Sequence, residues 1–441
     1  MGKKDMELKT ERGWLAPVTL IWVAYAITCF VAIATVFSMG WHVTSTTGDP
    51  VAIAAVSVCA LLPQGLLAPF GGVVADRFNR KGILLVCYVV IVIAALATAG
   101  VIMAGYLSLP VILAFSLILG VRNGFRDPAF NALMPMLVPE RHLIRINMLD
   151  NLLTAASMIL APALGILLYA TFGLSAPLIG LAAGSALSML TLMAVNVPTV
   201  KASSSARMRD ELAGGFKVLS DHRGMLVLVI LFVVGLMAYG PFDNLLPLLV
   251  STVFHGDGYA ASICEGSFGV GMLAGSAGLM ALGEKAPLSR VIAGCAVVLG
   301  ALIMVCGLLP SPLFPALVLC AVLAGACCAG FAGPATTLLQ KNCDPEYLGR
   351  VMGIFNSAMA LGMPMGTAVG GAIAGVTGVQ LFIVADGAAM LLVGIFAVLS
   401  KRLKALDWGN GVQIRPAVAT GSAMAAGESR LCVEEAEHAG S

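Results

Sequence analysis

Charge is scarce in this sequence: only 11% of its 441 residues are Asp, Glu, Lys or Arg, against 59% hydrophobic residues. The mean hydropathy is +0.97. A soluble domain covers itself with about a quarter charged residues, so a chain wetted on all sides is excluded and lipid must be its main solvent. Motifs of soluble catalysis are missing as well. There is no G-x-x-x-x-G-K-[ST] loop for ATP and no H-E-x-x-H zinc helix, and five scattered histidines offer no metal cluster. Eleven cysteines are present, but nine of them (Cys29, Cys59, Cys87, Cys264, Cys295, Cys306, Cys320, Cys327, Cys328) lie inside apolar runs and none falls in an expected external loop. Neither a disulfide framework nor a metal site is expected. The net charge of +2 carries no basic excess that would draw an acidic partner such as nucleic acid. The reading is therefore a non-enzyme without cofactor or bound metal.

What the chain does have is long apolar runs. Crossing a hydrocarbon core of roughly 30 Å takes about 20 residues at 1.5 Å each. Runs near 16–39, 51–74, 82–104, 109–135, 147–170, 174–196, 224–252, 259–282, 288–309, 312–340, 350–375 and 378–400 meet that length. The first is longer than a secretory core and lacks a small-residue cleavage site after it, so it is expected to stay attached. Basic residues collect in alternate connections, beginning at Lys3, Arg77, Arg141, Lys201, Lys285, Lys341 and Lys401. Of the 25 basic residues, all but Arg122 and Arg126 sit on that one side, which the positive-inside rule assigns to the cytoplasm. The expectation is a multi-pass protein of the cell (inner or plasma) membrane with both termini cytoplasmic.

Self-similarity divides the chain. Pro128-Ala129 and Pro139-Glu140 recur as Pro334-Ala335 and Pro345-Glu346, and Arg145 and Asn151 recur as Arg350 and Asn356. The pairs are displaced by 206 residues and, after a one-residue difference, by 205; spacing kept this closely over two runs and a loop points to a duplicated unit. The expected organisation is a cytoplasmic N-terminus at 1–14, a six-helix bundle at 15–196, a linker at 197–223, a second six-helix bundle at 224–402 and a disordered cytoplasmic tail at 403–441. In the linker, Met208, Leu212, Phe216 and Leu219 recur at helical spacing, either as an amphipathic helix on the inner leaflet or as one packed on protein.

Between the second and third runs stands Gly72-Val73-Val74-Ala75-Asp76-Arg77-Phe78-Asn79-Arg80-Lys81. It resembles the signature loop of the major facilitator superfamily, with Asn79 where the familiar pattern has a glycine. The resemblance implies an all-α integral membrane fold of twelve transmembrane helices in two pseudo-symmetric six-helix bundles. It also implies a conformational latch made of Gly72, Asp76, Arg77, Arg80 and Lys81, with Asp76 at the N-terminus of the eleventh helix and the basic residues paired with acids of neighbouring helices. Asp127 and Asp150 are placed with the inner gate. Ala161-Pro162-Ala163-Leu164-Gly165 is similar to the Gly-Pro-x-x-Gly motif of exporters in this superfamily, and Gly362, Pro364, Gly366, Gly370 and Gly371 repeat the idea in the eleventh run. Pro162, Gly165, Pro364 and Gly366 would then form an antiporter-type gate between the halves. Arg122-Asn123-Gly124-Phe125-Arg126-Asp127-Pro128-Ala129, Leu137-Val138-Pro139-Glu140, Pro345-Glu346-Tyr347-Leu348-Gly349-Arg350, and Glu265 with Gly271-Met272-Leu273-Ala274-Gly275 look like the macrolide-efflux branch of drug:proton antiporters.

Charges inside the runs argue independently of that family. Asp127, Asp150, Asp243, Glu265 and Asp386 would each cost about 3 kcal/mol or more facing lipid near the bilayer centre, so they should face the bundle interior or water. Arg122 and Arg126 are four apart on one helical face, whereas Asp127 is turned about 100° from Arg126, which favours a partner for it on another helix or in the signature loop. Arg126 and Asp127 are read as inner-end gate residues. A proton carrier must be able to shed its charge during the cycle, which burial away from any permanent cation favours. Asp127 fails that test. Glu265 passes it, about two turns in from the outside with no basic residue in its run; Asp243, between Pro241 and Pro247, is close enough in depth to act with it, and Asp386 is the third candidate.

The function expected is secondary active export of amphipathic small molecules, drug-like or macrolide-like, by proton antiport and alternating access. The partners are that substrate, protons and the lipid bilayer, with the chain acting as a monomer. The alternatives are an uptake symporter or facilitator of the same fold, or a non-transporting receptor or intramembrane enzyme.

Overall fold

A computed structural model of the chain describes residues 15–138, 140–195, 219–220, 222–282, 287–343 and 345–408. The expected N-terminus at 1–14, most of the 197–223 linker and the tail beyond 408 lie outside the described residues. Among those described there are helices and no strand. Twelve are long: α1 Leu15–Thr47, α2 Pro50–Arg77, α3 Arg80–Met103, α4 Leu109–Leu137, α5 Glu140–Phe172, α6 Ser175–Ala194, α7 Arg223–Thr252, α8 Gly258–Leu282, α9 Leu288–Leu308, α10 Phe314–Asn342, α11 Pro345–Thr377 and α12 Val379–Leu399. Eleven carry an apolar window of membrane-crossing length, and the apolar part of α5 runs from Ala156 to Phe172.

The end of α1 and the starts of α5 and α11 differ most from the hydropathy reading. The first helix runs on past residue 39 through His42 and a Thr-rich stretch to Thr47, because Thr44, Thr46 and Thr47 turn their hydroxyls back onto the carbonyls of Gly40, His42 and Val43. Polar side chains satisfied this way do not end a helix. Gly48 ends it, at φ 60°, and Asp49 then caps α2 by accepting from the Val51 N–H at 2.9 Å, with Pro50 as the first helical residue. Likewise α5 starts at Glu140, seven residues before the apolar run expected at 147, since helical backbone persists into the polar zone outside the bilayer.

The packing repeats itself with a period of six helices. In the first half α2 packs on α4, α3 on α4 and α6, and α1 on α5 and α6. In the second, α8 packs on α10, α9 on α10 and α12, and α7 on α11 and α12. The two seams between halves are related in the same way, α2 against α11 and α5 against α8. This is the pseudo-symmetric pair of six-helix bundles expected of the major facilitator fold.

With no hydrophobic drive between helices inside lipid, small residues and hydroxyls hold them together. Gly71 of α2 and Gly124 of α4 face each other so closely that a Cβ on Gly71 would collide with the Gly124 carbonyl. Thr28 of α1 donates to Gly184 O at 2.9 Å and meets Ser188 Oγ of α6 at 2.7 Å, while Ser188 donates back to Ala24 O at 2.8 Å.

Candidate functional site

Leu15 and Leu399 mark the near end of the molecule, where α1 begins and α12 stops; the far end carries the starts of α2, α8 and α12. Three acids of the second half lie at similar depth below the far end. Glu265 and Asp386 are each seven residues into α8 and α12, and Asp243 is nine residues from the end of α7, hence about 10 to 14 Å inward. Tyr239, one turn from Asp243 on α7, donates its hydroxyl to Asp243 Oδ1 at 2.7 Å and stacks on Phe268 of α8 at 6.0 Å. Glu265 lies within electrostatic range of Asp243, and so does Cys328 of α10. Asp243 therefore points to the side of α7 that faces α8 and α10, inside the bundle. Both carboxyl residues are half-buried. From Gly224 to Leu282 the sequence has no Lys or Arg, so the one permanent cation on α7 or α8, Arg223, stands at the near end, twenty residues from Asp243. Asp386 is 6% exposed next to the backbone of Phe242, and its Oδ2 has no hydrogen-bond partner among the described residues.

These acids stand beside the seams. On α8, Gly258 approaches Trp41 and Ile166, Ser262 donates to Pro162 O of α5 at 3.3 Å, and Gly266 and Gly269 face Ile159. That stripe repeats every three to four residues, and Glu265 adjoins it. On α7, Asn244 follows Asp243 and makes the complementary clasp: it accepts from Ser57 of α2 across the seam and donates to Thr367 of α11 at 3.1 Å. Along the α2–α11 seam, Gly371 and Gly375 meet Ala54 and Val51 near the far end, and Gly65 meets Ala360 deeper in. Among the described residues, no atom of another helix lies within 4 Å of where Cβ groups on Gly72 or Gly353 would stand, and Gly353 is exposed. The close contacts described between the halves lie toward the far end.

In the first half the charges are arranged differently from the sequence expectation. Asp127 does not look to a distant partner: Arg126, its chain neighbour, holds it with Nη2 at 2.6 Å and Nε at 2.7 Å. A long guanidinium arm easily spans the 100° between adjacent helical positions, which a comparison of backbone directions overlooks. A second helix does contribute, since Gln64 of α2 donates to Asp127 Oδ2 at 3.2 Å. Arg126 also lies over the Tyr25 ring at 5.2 Å. The pair sits ten residues, about 15 Å, inward from the end of α4. Arg122, one turn farther in, is 3% exposed and lies over Tyr88 at 5.8 Å.

The latch loop is described only in part: the side chains of Asp76 and Asp150 lie outside the described residues. Arg77 is exposed, and Arg80 reaches Met136 Sδ of α4 at 3.3 Å. Lys81, expected to meet an acid, instead donates to the Met193 and Val195 carbonyls at 3.2 and 2.6 Å, capping the C-terminus of α6 where carbonyls are left over. The residues of the expected gate, Pro162, Gly165, Pro364 and Gly366, have the following surroundings. Pro162 touches the opposite half through Ser262. Gly165 packs on Ala34 and Ser38 of α1, and Gly366 on the Met237 backbone of α7, each within its own half. Pro364 is buried.

Sequence reasoning passed over Asn244, Ser57, Thr367, Gln64 and Tyr239. Uncharged polar residues in apolar runs raise no hydropathy alarm. The usable signal was Asn244 directly beside an intramembrane acid, in a stretch otherwise apolar.

Comparison with known proteins adds to this geometry. The family model described as Transmembrane secretion effector matches residues 16–417. Macrolide efflux protein A of Streptococcus pyogenes is 28% identical over 405 residues, covering 91% of this chain and 100% of that protein. Macrolide efflux protein A of Enterococcus faecalis is 31% identical over 319 residues, covering 71% and 98%. Among solved structures, a bacterial homologue of the iron transporter ferroportin in an inward-facing state superposes with a TM-score of 0.67 at 17% identity, over 87% of this chain and 98% of that one. At that identity the likeness concerns the fold alone.

Proposed function

Because the chain belongs to the macrolide-efflux-like branch of the major facilitator superfamily, a family of transporters and not of enzymes, we propose that it exports amphipathic small molecules, macrolide-like drugs among them, in exchange for protons. In this reading it works in the cell membrane with both termini in the cytoplasm, and the near end opens inward. The observation that carries the proton coupling is the neighbouring pair Asp243 and Glu265, on two helices free of Lys and Arg between Gly224 and Leu282, beside the far-end seam. Two carboxyls in electrostatic contact take up and release protons as a unit. A proton arriving from outside discharges the pair; its release inward resets it. Arg126–Asp127 serves a structural role in this reading, tying the α4 pair to Gln64 of α2. The loop from Gly72 to Lys81, with Asp150, latches the near end when the halves rock closed there.

The test uses purified full-length protein in liposomes with an imposed pH gradient and a panel of labelled macrolides and other lipophilic drugs. Gradient-driven accumulation is expected for the wild type. Glu265→Gln should abolish that drive while leaving drug exchange at equal pH intact. Retention of gradient drive in both Glu265→Gln and Asp243→Asn would overturn the coupling assignment. Orientation is checked separately by Asp257→Cys in a cysteine-free background, which should react with an impermeant thiol reagent on intact cells.

A further inference from the structure

Between α2, α3 and α4, away from the seams, lies a groove of about 750 Å³, a size typical of sites for drug-sized ligands. It opens sideways to lipid: Val86 and Phe78 on its walls are 63% and 66% exposed. Its lining is apolar apart from Asn79 at one end and one charged residue, Arg122. The Cys87 thiol lies 3.8 Å from the Arg122 carbonyl, and Cys87 is seven residues into α3, so Arg122 sits about 10 Å below the near end of that helix.

Arg122 is incompletely partnered. Its Nη1 donates to Asn123 at 2.9 Å, but Nε and Nη2 have no hydrogen-bond partner among the described residues. Asp127, the carboxylate within its electrostatic range, is already held by Arg126. Two arginines thus share one aspartate. The two idle donors are the parallel pair along one edge of the guanidinium, the edge whose spacing matches the two oxygens of a single carboxylate.

We propose that this groove binds a long-chain carboxylate taken from the bilayer, with its hydrocarbon along the apolar walls and its carboxylate bridging Nε and Nη2 of Arg122. The lateral opening requires a ligand already dissolved in lipid. The depth favours a small anionic group over a bulky phosphodiester headgroup, and the fork geometry requires two oxygens on one atom. Arg122 forms part of the wall with Nε and Nη2 buried behind it, so the proposal includes a turn of the side chain that brings the fork to the ligand. The site is independent of the cargo and direction of transport.

The experiment places the full chain in phosphatidylcholine nanodiscs with a diazirine-bearing palmitic acid, photolysed and mapped by mass spectrometry. Labelling is expected to concentrate on α2, α3 and α4 around Val86 and to be competed by palmitate but not by methyl palmitate. Arg122→Gln should lower it about tenfold, the scale of one charge-assisted fork, with Arg122→Lys in between. Val86→Trp, which fills the groove without touching Arg122, should abolish it and keeps the test decisive if Arg122→Gln fails to fold. Even labelling of all lipid-facing helices, equal competition by the methyl ester, or wild-type labelling in a folded Arg122→Gln protein would overturn the proposal.

Discussion

Removing the Ser57 hydroxyl should loosen the far end selectively. Ser57 and Asn244 form a hydrogen bond between the halves, from α2 to α7. Asn244 also donates to Thr367 and to Gly240 O, both on its own side of the seam, so Ser57→Ala is the cleaner cut. Hydrogen bonds between helices in a bilayer contribute about 0.6 kcal/mol on average and up to about 1.7. With the polar Asn244 oxygen left in an apolar seam, the cost is placed at about 1 kcal/mol, which moves a two-state equilibrium roughly fivefold. Hydrogen exchange in nanodiscs reads that directly. Amides at the far ends of α2, α7 and α11 should exchange about fivefold faster in Ser57→Ala, while near-end amides do not accelerate. Asn244→Ala should give at least as large an effect, and the double variant little more than Asn244→Ala alone, because the shared bond is lost only once. Equal acceleration at both ends would mean general destabilisation, and additive effects would mean that the two residues act separately; either result refutes the clasp.

Gly366→Val drives a branched side chain into the Met237 backbone and should cost about 1 to 3 kcal/mol by overpacking, seen as a lower thermal midpoint, whereas Gly353→Ala, with open space around it, should leave the midpoint unchanged. Tyr239→Phe keeps the ring on Phe268 but removes the donor to Asp243; at about 1 kcal/mol for that bond, gradient-driven transport should fall about fivefold with the protein still folded, and an unaltered rate would separate Tyr239 from the acid pair. Arg126→Gln strands a half-buried Asp127 and should destabilise by about 2 to 3 kcal/mol, less than for a fully buried pair, with Asp127→Asn in the same chain restoring most of the loss. Denaturation of the three proteins side by side would show whether the rescue occurs.

The fold was legible because the bilayer imposes a length. Every helix must bury its own backbone polarity across roughly the same distance, so apolar runs and basic connections mark each pass. The misplaced edges mark where that rule stops applying. Hydropathy falls after residue 39, yet α1 continues to Thr47 because hydroxyls can bond their own helix, and a hydropathy window scores Thr44, Thr46 and Thr47 only as polar. The repeat of Pro128-Ala129 as Pro334-Ala335 was equally readable, and those residues occupy matching helices, α4 and α10, each packed on its own half's second helix, α2 or α8.

The site was legible only where chemistry is costly. An acid among apolar residues has to be accounted for, so Asp243, Glu265 and Asp386 stood out; their shared depth came only with the helix boundaries, and their position around α7 only with the packing. Pairings were not legible, since an arm as long as that of Arg126 erases the directional information that spacing provides, and a clasp such as Ser57–Asn244 costs nothing visible in composition. The result is a division between halves that neither composition nor motif states. Inside the first half, Arg122 and Arg126 face the single carboxylate Asp127, and one guanidinium edge is left over. In the second half, three carboxyls lie within about two turns of the far end, and the spans 224–282, 291–340 and 351–400 contain no Lys or Arg. Asp127 is held by an arginine, whereas Asp243 accepts from the Tyr239 phenol and lies within electrostatic range of Glu265. The proposed proton exchange is accordingly assigned to the second half, the one whose α7 also carries the clasp across the seam.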